Sequence, residues 1–472
     1  MIRAVLSRMS KTTIAVSVCL AAGLSVPAAR AENLADALAG AYNTSGILQQ
    51  NRALLRAADE DVGIAVSALR PILDWTGRFS RTRTDTSVAG TRTNRGVNDA
   101  FFGLTASLLI YDGGNTRLSV QAAQETVLAT RQALLSVEQS ILFRAVSAYM
   151  NVLRTDEIVR LRENNVRVLG EELRAAQDRF DVGEVTRTDV ALAESRQAAA
   201  RTGLAVARGE AFNAKEEYFN AVGSRPGALS TTPVLPKSPA SIDAAKSVAV
   251  RNHPDVLAAQ HQVAAGDLNV KRSETQLGPT ASISGDLGWT NTYDSTNYRD
   301  TASLSLNLSQ RLYQGGARAS ALRKSMASRD SLRANLLNVQ ENISQGVVTA
   351  FVSLEVARAS LTATEKQIEA ARVAFEGVRE EAKLGARTTL DVLDAEQELL
   401  DALAERISAQ ADRYIAAYQL LASQGLLTAE RLGLNVQIYD PAAYYNRVKN
   451  APSRYSKQGA DLDRVLRSLG KN

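Results

Sequence analysis

The feature that most constrains this chain is a repeat at one fixed spacing. Tyr111 and Tyr313, Gly183 and Gly385, Thr186 and Thr388, Asp189 and Asp391, Glu194 and Glu396, and Gly223 and Gly425 are each 202 positions apart. The matches fall on punctuating residues, not on the abundant Ala and Leu. An unbroken offset means that no insertion has been accepted there, as packed helices demand and loops do not. Upstream, Pro71 and Pro279 are 208 apart, so the halves differ by six residues in the segment between. The chain is therefore a duplicated, elongated body, not a string of unrelated domains.

Within each copy the hydrophobic period changes in the same order. Asn33 to Leu69 has a helical pattern broken near Asn43, and Ile242 to Leu277 matches it. After Pro71 the period becomes two: Leu73, Trp75, Gly77 and Phe79 alternate with polar residues, and so do Phe102, Leu104, Ala106, Leu108 and Ile110. The second half repeats this with Ala281, Ile283, Leu287 and Trp289, then Ala302, Leu304, Leu306, Leu308 and Leu312. Each run is close to the roughly 9–11 residues of a tilted membrane-crossing strand, one face apolar and one polar. A soluble sandwich shows the same alternation. Two hairpins are too few for a sandwich and too few for a barrel, so several chains must supply the rest. The polar segments Arg83 to Ala100 and Asn291 to Asp300 read as outer loops. Trp75 and Trp289 stand where interfacial anchors or ordinary packing residues would.

Each second strand ends in paired glycines, Gly113-Gly114 and Gly315-Gly316, which free the backbone to turn from strand to helix. From Thr116 to Val182 and from Ala317 to Leu384 no Pro interrupts a helical pattern, and helices of that length span about 100 Å. Gly183, Glu184 and Thr186, and in the second copy Gly385, Arg387 and Thr388, then form a turn. The Gly closes one helix in the left-handed conformation and the Thr caps the next. The returning helices close at Gly223 and Gly425. Asp391 and Asp394, three apart, put two carboxylates on one face beside the second turn. No base, nucleophile or metal-ligand cluster accompanies them, and no phosphate loop or cofactor motif follows the glycine pairs. That suggests a gate, not an active site. His253 and His261 read as surface or packing residues.

Arg3, Arg8 and Lys11 before an apolar stretch from Thr12 to Val26, with Ala29-Arg30-Ala31 after it, read as an export signal. Cleavage before Glu32 takes Lys and Arg from 55 to 51 against 50 acids, so a net charge of +5 falls to +1. The basic balance belongs to the signal and gives no support to nucleic-acid binding. The single cysteine, Cys19, lies inside it after Val18, a poor lipidation context. Past the signal the sequence shows no apolar run fit for a spanning helix. Four segments follow: 1–31 signal, 32–236 first repeat with strands over 72–111 and a helical hairpin over 116–223, 237–437 second repeat with strands over 281–313 and a hairpin over 317–425, and a polar tail over 438–472 that resembles neither half and ends in a short helix from Ala460 to Leu469.

This combination resembles the TolC family of outer-membrane export ducts from about Asn33 to Leu434. The resemblance implies a mainly α protein with transmembrane β structure. Three protomers would each give four strands to a twelve-stranded barrel in outer-membrane lipid, and their helices would form a periplasmic tunnel in a Gram-negative cell. It implies a passive homotrimeric exit duct without enzymatic activity or cofactor, carrying small molecules in multidrug efflux or proteins in type I secretion. A periplasmic adaptor (membrane fusion) protein and an inner-membrane pump or ABC exporter would open it. Asp391 and Asp394 match the family's entrance carboxylate ring, where like-charge crowding raises carboxylate pKa values. Thr188, Asp189 and Arg387 match its closed-state tip network, and Gly183, Glu184, Thr186, Gly385 and Thr388 the tips where the adaptor docks. The family's closing network also has a Tyr three residues before the second tip glycine; here Ala382 takes its place. The competing reading is an exported coiled-coil fibre, which needs no band of paired strands.

Overall fold

The computed structural model describes residues 32–231, 233–293 and 298–468; the expected signal lies outside them. Two short helices, α1 (Leu34–Thr44) and α2 (Gly46–Ser67), lead into strands β1 (Ile72–Val88) and β2 (Thr91–Tyr111). The long helix α3 (Asn115–Asp181) and the returning α4 (Arg187–Val222) follow. The order then recurs as α5 (Ile242–Asn252), α6 (Pro254–Thr275), β3 (Thr280–Thr292), β4 (Tyr298–Ser309), α7 (Ala317–Lys383) and α8 (Thr389–Ser423). At 67 residues each, α3 and α7 run about 100 Å. Their sequences are rich in Ala, Leu, Glu, Gln and Arg, which lose little on entering a helix.

The four strands form one antiparallel sheet in the order β1-β2-β3-β4. Register puts the apolar positions on one face: Trp75 opposes Leu104, Leu104 opposes Leu287, and Leu287 opposes Ala302. Phe102 anchors this face, 6.3 Å from the Trp75 ring, 6.0 Å from Trp289, and edge-on to Phe79 at 5.6 Å. The other face is mostly polar, with Ile72, Val97 and Leu109 among its few apolar positions and Phe101, whose ring lies over two glycines; a Cβ added at Gly103 or Gly288 would come within 2.6 or 2.7 Å of it. The apolar face is uncovered, with Leu73 at 71% and Leu304 at 78% exposure.

The strands correct three sequence expectations. Arg83 to Ala100 is not a loop: β1 and β2 continue to Val88 and from Thr91, joined by Ala89-Gly90 at φ +48° and +85°. Paired positive φ values make a type I′ turn, and threonines at 82, 84, 86, 91 and 93 favour strand beside it. Of Asn291 to Asp300, residues 291–292 and 298–300 are also strand, and 294–297 lie outside the described residues. Conversely β4 stops at Ser309, so Leu312 is beyond it. One further correction concerns α7, which contains an 18-residue window of mean hydropathy 1.3, apolar enough for a membrane span by composition. That helix buries Val347, Ala350 and Leu354 against Ala245 and Ala249 of α5 and Ala417 and Leu420 of α8, while Val352 and Val356 of the same stretch are exposed in the single chain.

The largest core lies midway along the helices, where α1 and α2 pack across α3, α4 and α8. Tyr42, Leu48, Leu55, Val62, Tyr149, Tyr218 and Leu427 fill it. Tyr149 donates to the carbonyls of Glu32 (3.1 Å) and Ser230 (2.8 Å), and burial pushes its hydroxyl up to about 12. Tyr218 donates to the Glu32 carboxylate at 2.7 Å. The start of the described chain is thereby pinned to the middle of the long hairpin.

The polar tail departs from expectation too. A helix α9 (Pro441–Val448) precedes the last helix α10, which starts earlier than expected, at Lys457, and runs to Ser468. Tyr444 donates to Glu60 at 2.6 Å, and Arg131 lies 5.1 Å over the Tyr445 ring. The segment is docked against α2 and α3 by aromatic side chains that the polar composition concealed.

Candidate functional site

Both helical hairpins turn by the same local chemistry. At the first tip the Gly183 N–H donates to Phe180 O (3.0 Å) and the Glu184 N–H to Arg179 O (2.9 Å), with Gly183 at φ +80°. At the second, Gly385 donates to Ala382 O (3.1 Å) and Ala386 to Glu381 O (2.9 Å), with Gly385 at φ +77°. This is a Schellman closure: two orphan carbonyls are satisfied and a left-handed residue reverses the chain. The next helix starts at once with a capping box. Thr186 N and Oγ1 donate to the Asp189 carboxylate at 2.9 and 2.8 Å, and Thr388 N and Oγ1 to Asp391 at 2.9 Å each. Thr and Asp three residues apart are what this reciprocal bond requires.

The capping box gives Asp189 and Asp391 a structural task that sequence reading missed. Hydrogen bonds from the Thr388 backbone and hydroxyl hold the Asp391 carboxyl below the usual carboxylate range within one chain. Asp394 points elsewhere, to Arg196 Nη2 of α4 at 2.5 Å. Arg387 pairs with Glu381 at 2.8 Å, so inside one protomer it reaches neither Thr188 nor Asp189. Thr188 is exposed. Val182 and Leu384, the residues before the two tip glycines, are apolar and 71% and 86% exposed.

A second cluster lies behind the tip, where α3, α4, α7 and α8 meet. Leu169, Ala200 and Leu393 form a small apolar layer beside a cavity of about 200 Å³ lined by Arg162, Asn165, Arg196 and Glu396. Glu396 is pushed up to about 7, first by burial and then by the nearby Glu172 carboxylate, while Arg379 acts the other way. Arg379 stands 3.8 Å from Glu172. In the sequence Glu396 merely ended the repeated tip pattern. Its spacing from Leu393 and Leu400, which places it on the buried face of α8, was the available signal.

At the opposite end, Gly113, Gly114, Gly315 and Gly316 all adopt left-handed φ, between +54° and +87°. In the first copy the Asp112 carboxylate accepts from Gly114 N (2.9 Å) and Thr116 N (2.7 Å), fixing the start of α3. The second copy has Gln314 at that position and no side-chain cap on α7.

A half-apolar sheet joined through glycine turns to helical hairpins about 100 Å long is the layout of an outer-membrane export channel. The sequence profile described as "Outer membrane efflux protein" matches residues 41–224 and 246–426. The outer membrane efflux protein BepC of Brucella suis is 37% identical over 425 residues, 90% of this chain and 92% of that protein. The outer membrane protein TolC of Escherichia coli is 22% identical over 92% of this chain and 90% of its own length. Among solved structures, the CmeC outer membrane channel of Campylobacter jejuni superposes with a TM-score of 0.74 at 16% identity, covering 89% of this chain and 90% of that one. The open-state MtrE channel of Neisseria gonorrhoeae gives 0.72 at 20%, covering 85% and 91%. The chain belongs to the outer membrane efflux protein family. It is a TolC-like channel of the outer membrane that extends into the periplasm. These relatives support that reading and not the coiled-coil fibre.

Proposed function

We propose that three copies of this chain close into one duct, shut at its helical tips and opened by a periplasmic adaptor together with an inner-membrane pump or ABC exporter. The observation that carries the reading is the open four-stranded sheet with one uncovered apolar face. A barrel with a water-filled interior needs more strands than one chain has, and three chains supply twelve. On this reading residues 1–31 are a removable leader, the two repeats form the duct wall, and the docked tail is a periplasmic brace. The duct is passive and needs neither catalysis nor cofactor. Relatives named for alkaline protease secretion and for pyoverdine export differ in cargo on one design. The greater identity to BepC, named for efflux, favours an efflux role here.

At the entrance, threefold symmetry gathers Asp391 and Asp394 into a ring of six carboxylates that attracts cations and repels anions. Arg387, Thr188 and Asp189 bridge neighbouring protomers in the closed state, Arg387 exchanging Glu381 for a partner across the interface. Gly183, Glu184, Thr186, Gly385 and Thr388, with exposed Val182 and Leu384 beside them, are the surface on which the adaptor docks. Gly113, Gly114, Gly315 and Gly316 are the pivots between barrel and tunnel. Single-channel recording of the mature protein in a planar bilayer tests the reading. Small, long-lived, cation-selective steps are expected; folded protein that never inserts would overturn it.

A further inference from the structure

We propose that Arg81, Arg83 and Arg92, on the membrane-side face of the β1–β2 hairpin, bind the phosphates of outer-leaflet glycolipid. The proposal rests on the outer-membrane reading above and adds a lipid site to it. The last β2–β3 pair is Asp99 with Thr292, and beyond it β1 and β2 pair with each other from Arg81–Asn98 to Val88–Thr91. Those eight rows carry the hairpin about 26 Å further, at roughly 3.3 Å per residue. Helices occupy the other end of the strands, so this extension is on the outer side.

Strand period decides which way its side chains point. Leu73, Trp75 and Phe79 share the apolar face, and Arg81 and Arg83 are the next positions on that face. Arg92 opposes Ser87 and lies on it as well. Tyr298, opposite Asn291, falls in the row of Phe79, and Tyr293, whose N–H donates to Asn98 O at 2.9 Å, falls in the row of Arg81, before Arg83 and Arg92. The order along the face is therefore aliphatic, aromatic, then guanidinium. Aromatic side chains mark the interface of a membrane barrel, and a cation one step further out meets headgroups, not acyl chains.

All three arginines are exposed, and among the described residues none has an ion-pair partner. The acids on this face are Asp85, opposite Asn94, and Asp300, two strands away from β2. The planar fork of Arg matches a phosphate monoester with two parallel hydrogen bonds. Arg95, opposite Thr84, points to the other face and is the internal control.

The test measures retention of bis-phosphorylated lipid A, and of the same lipid with its phosphates removed, by the detergent-solubilised full protein in native mass spectrometry. The parent is expected to hold the phosphorylated form far more tightly, with the preference shrinking at high salt. At about fivefold per arginine near a charged surface, R81Q/R83Q/R92Q should weaken retention roughly a hundredfold, and R95Q should leave it unchanged. A parent without preference for the phosphorylated lipid overturns the site, and so does equal loss in R95Q. Displacement of the lipid by millimolar inorganic phosphate would make this a soluble-anion site and also overturn it. Recording the parent in phosphatidylcholine bilayers separates the two readings: insertion without phosphate preference removes only the lipid site, and absence of insertion removes both.

Discussion

Glu396→Gln tests how the tip bundle is held shut within one protomer. In the packed tip Glu396 keeps its proton up to pH about 7, against an ordinary value of 4.5. At 1.36 kcal/mol per pH unit that difference is roughly 3 kcal/mol, and solvent reaching the half-buried site cuts it to about 1–2 kcal/mol. The sign follows from proton uptake. The packed state binds the proton more tightly than the opened one, so its stability is greatest below pH 4.5 and falls as pH rises through 7. The charged groups facing Glu396 are Glu172 and Arg162 of α3, Arg196 of α4 and Arg379 of α7. The substitution keeps the volume and removes the charge. At pH 8 it should slow hydrogen exchange of the amides around Leu393 and Leu400 by about 5- to 30-fold, corrected for intrinsic rates, and flatten their pH dependence. Parent protection that is the same at pH 5 and pH 8, or a variant that exchanges faster than the parent, would refute the argument.

Asp391→Asn with Asp394→Asn should reduce cation preference in single-channel recordings while the protein stays folded, because Asn still accepts the cap bond from Thr388; unchanged ion selectivity would remove the ring assignment. Asp391→Ala loses the cap as well, at about 1 kcal/mol, and is the poorer probe. Arg387→Ser should raise baseline conductance, and conductance at the parent level would take Arg387 out of the latch. Gly223→Ala should lower the melting temperature more than Gly183→Ala. Both glycines have left-handed φ, costing about 1–2 kcal/mol with a side chain, but only at Gly223 would the new Cβ come 2.6 Å from Thr44 Oγ1. Equal drops would show that the Thr44 contact yields freely.

The elements that repeat locally were legible in the sequence because each is decided within a few residues. Gly183 and Gly385 adopt the conformation that only Gly takes cheaply, Thr186 and Thr388 cap, and alternation at Leu73 to Phe79 sets one face of a strand. The type I′ turn at Ala89-Gly90 was also local, but Arg and Thr disguised strand as loop. Arg81 and Arg83 follow Phe79 on the apolar face of β1 and break the alternation rule there.

What tertiary structure alone decided is where side chains from distant segments meet. The sequence by itself determined a duplicated chain of long helices, paired amphipathic strands and glycine turns, since these follow from periodicity and backbone preference. It could not show that Asp394 pairs with Arg196 198 residues away, or that Glu396 comes under α3 beside Glu172. Nor could it show that Tyr444 and Tyr445 strap the tail to α2 and α3. A carboxylate reads alike in sequence whether it caps its own helix, pairs across a bundle or is buried. Only packing sets its desolvation and its neighbours, and these fix its charge.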